Sequence, residues 1–242
     1  MTAGREQLGR QPGRIILTDV TWLATFKRFP AERIPLIGRV ALLVADWSRP
    51  QRGEAPMFDW PLLERLSVVR PAYPTAVFLP AGFYFLWKSV SGLDGMGVSI
   101  LLYLLGLLVW SLVEYLVHRN SFHHEPKNRW QVALVYLFHG VHHAYPDDSR
   151  RWMMPLSASI PLATAFYFLF RLVLGSWTPG VFAGFIHGYL AYDLLHYFIH
   201  RGRMPGRIGR FLRQHHMAHH YAKPDRHFGV TSPLWDLVFR TR

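Results

Sequence analysis

The chain has 242 residues, of which 50% are hydrophobic and only 17% charged. This balance is too apolar for an ordinary soluble domain and suits a membrane protein with polar parts. There is no cysteine, which excludes disulfides, thiolate-held iron–sulfur clusters and cysteine zinc fingers. The net charge of +12 would suit nucleic acid or anionic lipid; the apolar runs favour lipid, and no nucleic-acid partner is expected.

The N-terminus, Met1 to Asp19, lacks the shape of a signal peptide, so insertion is expected to use internal segments. Residues 1–70 form an N-terminal cytosolic or interfacial region. Within it, Arg33 to Trp47 mixes apolar and basic residues, as an amphipathic segment on a membrane surface would. No histidine precedes His118, which rules out a bis-histidine haem domain in that region.

Residues 71–242 are expected to form one domain. Uncharged runs place membrane spans at about 71–90, with Pro80 as a kink, and at about 96–117, 153–174 and 181–200. Gln131 to Phe138 is apolar but too short to cross. Gly175 to Gly180 reads as a turn. The loops at 91–96 and 175–180 carry no Lys or Arg, whereas 1–74, 118–155 and 200–242 carry 11, 5 and 9. The positive-inside rule therefore puts both termini and the 118–155 loop in the cytosol. The expected fold is an all-α integral membrane protein with four transmembrane helices in two hairpins. A cytosolic helical cap carries a His-rich dimetal centre.

All 14 histidines lie between residues 118 and 227. The pattern HxxHH occurs twice, at His139, His142, His143 and at His216, His219, His220. Positions i, i+3 and i+4 share a helix face, so each triplet is expected to converge on one point. His196 and His200 also share a face. His118 and His123 are five apart, off any one α-helical stripe, and fit a place where a membrane helix ends. A single HxxH is more often a surface feature than a metal site. Two HxxHH motifs with two further pairs, all at cytosolic helix ends, argue for a folded metal centre. Ten imidazoles match two ions with about five ligands each, or fewer with some histidines further out. Imidazole suits iron, zinc, copper and nickel. An open pair beside a membrane fits iron handling dioxygen, although ligand chemistry alone admits zinc.

His124, His187, His215 and His227 are left out of this set. His187 reads as a hydrogen-bonded histidine inside the fourth span. Asp193, three residues before His196, and Glu114, four before His118, are the candidate carboxylate partners of ligand histidines. An interfacial acid paired with arginine is the plainer reading of each. Asp148 and Arg151 could pair with each other or hold the cap together. Tyr189, Tyr192 and Tyr197 could line a lipid approach, with ordinary packing as the default. Arg201, Arg203 and Arg207 could meet anionic lipid heads or an acidic electron donor, or simply retain the loop on the cytosolic side.

From Glu114 onward the chain resembles the fatty acid hydroxylase superfamily, most closely its fatty acid 2-hydroxylases. The residues that carry the resemblance are Glu114 to His123, His139 to His143 with Pro146, Asp148, Arg151 and Pro155, Gly188 to His200, His216 to Tyr221, and Phe228 to Asp236. The last block holds no ligand candidate. Together with the HxxxH spacing it separates this branch from related sterol desaturases and carotenoid hydroxylases.

The resemblance implies a four-span enzyme whose cytosolic dimetal centre, thought of as di-iron, is held by the ten histidines. It implies insertion of one oxygen atom from dioxygen beside an acyl carboxyl group. With no fused cytochrome b5 domain here, a separate cytochrome b5-like or ferredoxin-like donor is implied. Two other readings stay open: a sterol or carotenoid hydroxylase or desaturase, and a non-catalytic membrane metal-binding or transport protein. Few polar residues occur mid-span, which counts against transport.

Overall fold

The computed structural model describes residues 52–242 except 56, 59, 93, 94, 125 and 224. The amphipathic segment expected at Arg33 to Trp47 lies outside the described residues. Those described form helices and no strand. In chain order the helices are α1 (Pro61–Leu66), α2 (Ala72–Val90), α3 (Gly95–Val117), α4 (Arg129–Val135), α5 (Val141–Ala144), α6 (Leu156–Leu174), α7 (Thr178–His200), α8 (Gly206–Tyr221) and α9 (Leu234–Val238).

Four long helices, α2, α3, α6 and α7, match the four apolar runs within a few residues. Two stretches are long and apolar enough to cross a membrane, Gly95–Phe122 and Leu156–His200. The second holds two helices, α6 and α7, folded back at the 3-10 turn Gly175–Trp177. Gly175 makes that reversal at a φ of 56°, a region glycine enters without steric cost. The turn is shorter than expected from sequence, because Pro179 at the start of α7 already favours helix.

Helix α7 is the central post. Its Gly180, Gly184 and Gly188 recur every four residues along one stripe, and α3 lies against that stripe. A Cβ at Gly184 would sit 1.9 Å from the Tyr103 carbonyl, and one at Gly106 on α3 would sit 2.0 Å from the Val181 carbonyl. Backbone-to-backbone approach of this kind is how apolar helices gain packing energy where lipid offers no hydrophobic drive. On the other side, Phe78 and Phe85 of α2 meet Tyr189 and Phe182 of α7 edge-on. Phe166 and Phe170 of α6 meet Phe185. His187 of α7 is hydrogen-bonded inside the helix group as expected, 3.0 Å from both the Tyr103 hydroxyl and the Leu79 carbonyl. It ties α7 to α3 and α2. The outward surfaces stay apolar: Leu101, Phe168, Leu172 and Trp87 are each more than 60% exposed. On a water-facing surface such a coat would be a liability.

The polar cap sits at one end of these helices. Asn128 caps α4, its side chain accepting from the Trp130 and Gln131 amides at 3.1 and 3.0 Å. Val132, Val135 and Tyr136 then pack with Val141, Ala144 and Tyr145. Ala55 and Met57 join this core, so the chain before α2 is part of the cap. Arg151 locks them in place. It is buried and donates to the Ser67 hydroxyl at 2.7 Å, to the Ala55 carbonyl at 3.1 Å and to Glu64. Asp148 accepts from the Ala55 amide at 2.9 Å, and its carboxylate lies 3.8 Å from Arg151. Both roles foreseen for this pair, mutual pairing and holding the cap, are present. Helix α8 buries His215, His216 and His219 on one face and exposes Arg207, Arg210 and Arg213 on the other.

Candidate metal centre

Two departures from regular α-helix set up the centre. Each is a single π-type turn, His118–Phe122 at the end of α3 and Tyr136–Gly140 between α4 and α5. A π turn is wider and rotates less per residue, so residues five apart end on nearer faces. The His118 and His123 ring centroids are accordingly 5.0 Å apart. That resolves the awkward spacing of this pair.

The ten histidines gather into two groups of five. His118, His123, His139, His143 and His219 form one, and His142, His196, His200, His216 and His220 the other. Within each group the ligand-capable atoms lie within 4.8 Å of one another. In the first, the Nε2 atom of His139 lies 3.0 Å from that of His118 and 2.8 Å from that of His143. His123 and His219 meet through their Nε2 atoms at 3.0 Å. In the second, the Nε2 atom of His220 lies 3.0 Å from those of both His142 and His216, and His216 lies 2.9 Å from His200. The groups abut, with His143 of one stacked on His220 of the other at 4.2 Å between centroids.

Each HxxHH triplet therefore does not converge on one point, as its spacing suggested. It is shared out: His139 and His143 go to one group and His142 to the other, while His216 and His220 go to the second and His219 to the first. The i, i+4 members stay together and the i+3 member, about 60° round the helix from the i member, reaches across.

Backbone carbonyls fix the imidazole tautomers. The Nδ1–H groups of His118, His219 and His196 donate to the carbonyls of Phe228 at 2.5 Å, Arg226 at 2.7 Å and Trp152 at 2.6 Å. Each leaves an Nε2 lone pair facing its group. The Nε2 of His196 is buried with no hydrogen-bond partner. Burial first, and the neighbouring imidazoles next, hold His139, His142, His216 and His220 well below the usual histidine pKa. Packed lone pairs with no proton to neutralise them suit a cation, and neutral imidazole is the ligand form. The donor set fits one ion in each group.

The family model for fatty acid hydroxylases matches residues 103–241, more than half of the chain and all ten of these histidines. The chain belongs to the fatty acid hydroxylase family. It is similar to a dihydroceramide fatty acyl 2-hydroxylase, FAH2, of Arabidopsis thaliana, with 36% identity over 184 residues, 75% of this chain and 76% of that one. It is similar to the ceramide very long chain fatty acid hydroxylase scs7 of Schizosaccharomyces pombe, with 36% identity over 194 residues, 78% of this chain and 55% of that one. Among solved structures it is similar to full-length scs7p, in which only the hydroxylase domain is visible. The TM-score is 0.77 and the identity 31%, over 90% of this chain and 81% of that one.

In this member of the hydroxylase family two neighbouring cavities lie near the centre, and the smaller is bordered by three of the ten histidines. One of about 230 Å³ is bordered by His139, His142, His196 and Asp193. A second, of about 550 Å³, runs between α3, α6 and α7, past Trp110, Leu162, Phe166 and Tyr189. Phe122, Phe138, Met154 and Tyr192 border both. Tyr192 is stacked on His196, with 5.8 Å between centroids and 6° between planes.

The two candidate carboxylates stand one step further out than their spacing suggested. His196 bonds the Trp152 carbonyl rather than Asp193. Asp193 is buried, accepts a 3.5 Å bond from the Met154 amide, and lies beside the smaller cavity one helical turn from Tyr189. His118 bonds the Phe228 carbonyl rather than Glu114. Glu114 instead accepts from the Val230 and Thr231 amides at 2.7 and 2.9 Å and from the Thr231 hydroxyl at 2.6 Å. Sequence reasoning missed Asp236. It is fully buried and accepts from the Phe228 and Gly229 amides, each at 2.9 Å, and meets His215 Nε2 at 3.1 Å. Its signal lay in the Phe228 to Asp236 block, which carried the family resemblance without offering a ligand.

Proposed function

We propose that this protein is a membrane-bound di-iron oxygenase that hydroxylates a lipid acyl chain at carbon 2, with a ceramide or another acylated lipid as substrate. The observation that carries this reading is an apolar cavity that shares Tyr192 and Met154 with a smaller cavity, which in turn borders His139 of one five-histidine group and His142 and His196 of the other. Relatives named as a dihydroceramide fatty acyl 2-hydroxylase and as a ceramide very long chain fatty acid hydroxylase support the reaction and the lipid class. They also favour it over sterol or carotenoid chemistry.

In this reading residues 71–242 are the hydroxylase domain and residues 1–70 its cytosolic or interfacial extension. The helices α2, α3, α6 and α7 span the membrane as two hairpins. Both termini and the histidine cap face the cytosol, as the excess of Lys and Arg at that end supports. His118, His123, His139, His143 and His219 hold one ion. His142, His196, His200, His216 and His220 hold the other. Iron is the working metal, and zinc would also be accepted by all-imidazole sites. The bound pair supplies activation of dioxygen with electrons from outside the chain.

The rest is the work of this chain's residues. The cavity between α3, α6 and α7 holds the acyl tail in lipid-like surroundings. Tyr192 and Met154 bring the carbons next to the carbonyl up to the histidines. Asp193, on the wall of the smaller cavity, orients a polar group beside the reacting carbon. The aromatic shell of Phe122, Phe138 and Trp152 keeps bulk water out. The exposed Arg201, Arg203 and Arg207 receive a separate acidic electron donor of cytochrome b5 or ferredoxin type.

The test is the lipid profile of a host that expresses the protein together with such a donor. Acyl chains that gain the mass of one oxygen at carbon 2, and lose that gain in His142→Ala, are the expected result. Loss of two hydrogens instead would mean desaturation. An unchanged profile with metal and reductant present would sink the reading.

A further inference from the structure

Two ligand candidates of the first group, His118 and His219, take their orientation from one short segment. Their Nδ1–H groups donate to the carbonyls of Phe228 and Arg226. The four amides from Phe228 to Thr231 point the other way, into two buried carboxylates. Asp236 takes Phe228 and Gly229. Glu114 takes Val230 and Thr231. Four consecutive amides bonded to side-chain carboxylates leave this loop little freedom. A Cβ at Gly229 would lie 2.1 Å from the Ser232 carbonyl and 3.0 Å from the Asp236 carboxylate, so the turn is closed as tightly as glycine allows. Asp236 is secured in turn by the Thr241 hydroxyl at 2.8 Å and by His215. In the second group, the corresponding bond of His196 goes to Trp152, on a different segment.

We propose that Glu114 and Asp236 are positioning residues for the first five-histidine site alone, acting through the Arg226–Thr231 segment on His118 and His219. This rests on the reading that each group holds one metal ion. Groups that orient a metal-bound imidazole typically matter by about 10–100-fold in affinity. The chemistry of the two carboxylates separates their amide variants. In Glu114→Gln, the amide oxygen can still accept from both Val230 and Thr231, and its NH2 can donate to the Thr231 hydroxyl. In Asp236→Asn, one oxygen can still serve Phe228, but the NH2 then confronts the Gly229 amide, donor against donor.

The experiment is cobalt(II) titration of the purified full chain in detergent, followed by visible absorption and by metal-to-protein ratio. Wild type is expected to take two ions. If it takes none, the metal reading fails and this proposal with it. Given two ions in wild type, Asp236→Asn and Glu114→Ala are expected to weaken one of the two binding steps by about 10–100-fold and leave the other unchanged. Glu114→Gln should restore the wild-type titration and spectrum. Thr231→Val, which removes one bond and keeps the backbone amides, should shift the same step by less, and it serves if Asp236→Asn does not fold. Equal weakening of both steps, no weakening of either, or failure of Glu114→Gln to restore binding would each overturn the proposal while leaving the two-metal reading intact.

Discussion

His142 and His143 are consecutive in the chain yet serve different halves of the centre. His143 lies 2.8 Å from His139 through their Nε2 atoms, while His142 lies 3.0 Å from His220. Three histidines that read as one motif thus join the two groups. Alanine at either position should lower bound metal from two ions towards one, each from a different site. On the proposed reading, in which both ions act as a unit, product should fall by at least about 100-fold in both. Metal analysis alongside the lipid profile checks this. Full retention of two ions in either variant would remove that histidine from the ligand set.

Acid should unfold the metal-free protein. Burial and neighbouring imidazoles hold His139, His142, His143, His216, His219 and His220 well below the ordinary value. In the unfolded chain these groups titrate near about 6.5. Between the two values the unfolded state binds more protons, so stability is fully present above about pH 6.5 and falls as pH drops through it. Melting temperatures in detergent at pH 8, 7, 6 and 5, with chelator present, should decline steeply below 6.5. A flat profile would contradict neutral imidazoles packed in the folded state.

The Gly180, Gly184, Gly188 stripe permits the contact of α7 with α3. Gly184→Ala places a methyl group on the Tyr103 carbonyl and must push the helices apart. The cost should be about 1–3 kcal/mol, typical of overpacking. It should appear as a lower melting temperature with some loss of bound metal, since His118 and His196 ride on these two helices. A variant that melts like wild type would mean the helices are not held at that spacing.

The larger cavity should set which acyl chains are accepted. Ala163 and Leu162 border it on α6. Ala163→Trp fills space the tail needs, so products from long chains should fall and those from short chains persist, with KM rising more than kcat falls. Mass analysis of hydroxylated chain lengths reads this directly. An unchanged distribution would mean the tail lies elsewhere.

How much of this was legible depended on the kind of interaction. The four helices could be read because long uncharged runs leave few alternatives, and the structure moves their ends by only a few residues. The ten histidines could be read as a set because their clustering in sequence is so uneven. Their division could not, since HxxHH spacing fixes a face and not the side of that face each ring chooses. The π turns at His118 and Tyr136 leave no compositional mark. The orienting carbonyls of Trp152, Arg226 and Phe228 are invisible in principle, because every residue carries one. The acids at 114 and 193 drew attention as polar residues in apolar helices, and both proved buried. Their partners lie on distant segments that spacing along one helix could not reveal. Gly180 looked like part of a turn, and its packing role emerges only once α3 is seen beside it.

Helix α8 feeds both five-histidine groups, giving His219 to one and His216 and His220 to the other. Neither group can therefore be complete before α8 has docked. Assembly of the two groups is one event rather than two, and a half-built centre with one finished pocket is not a stopping point on the way.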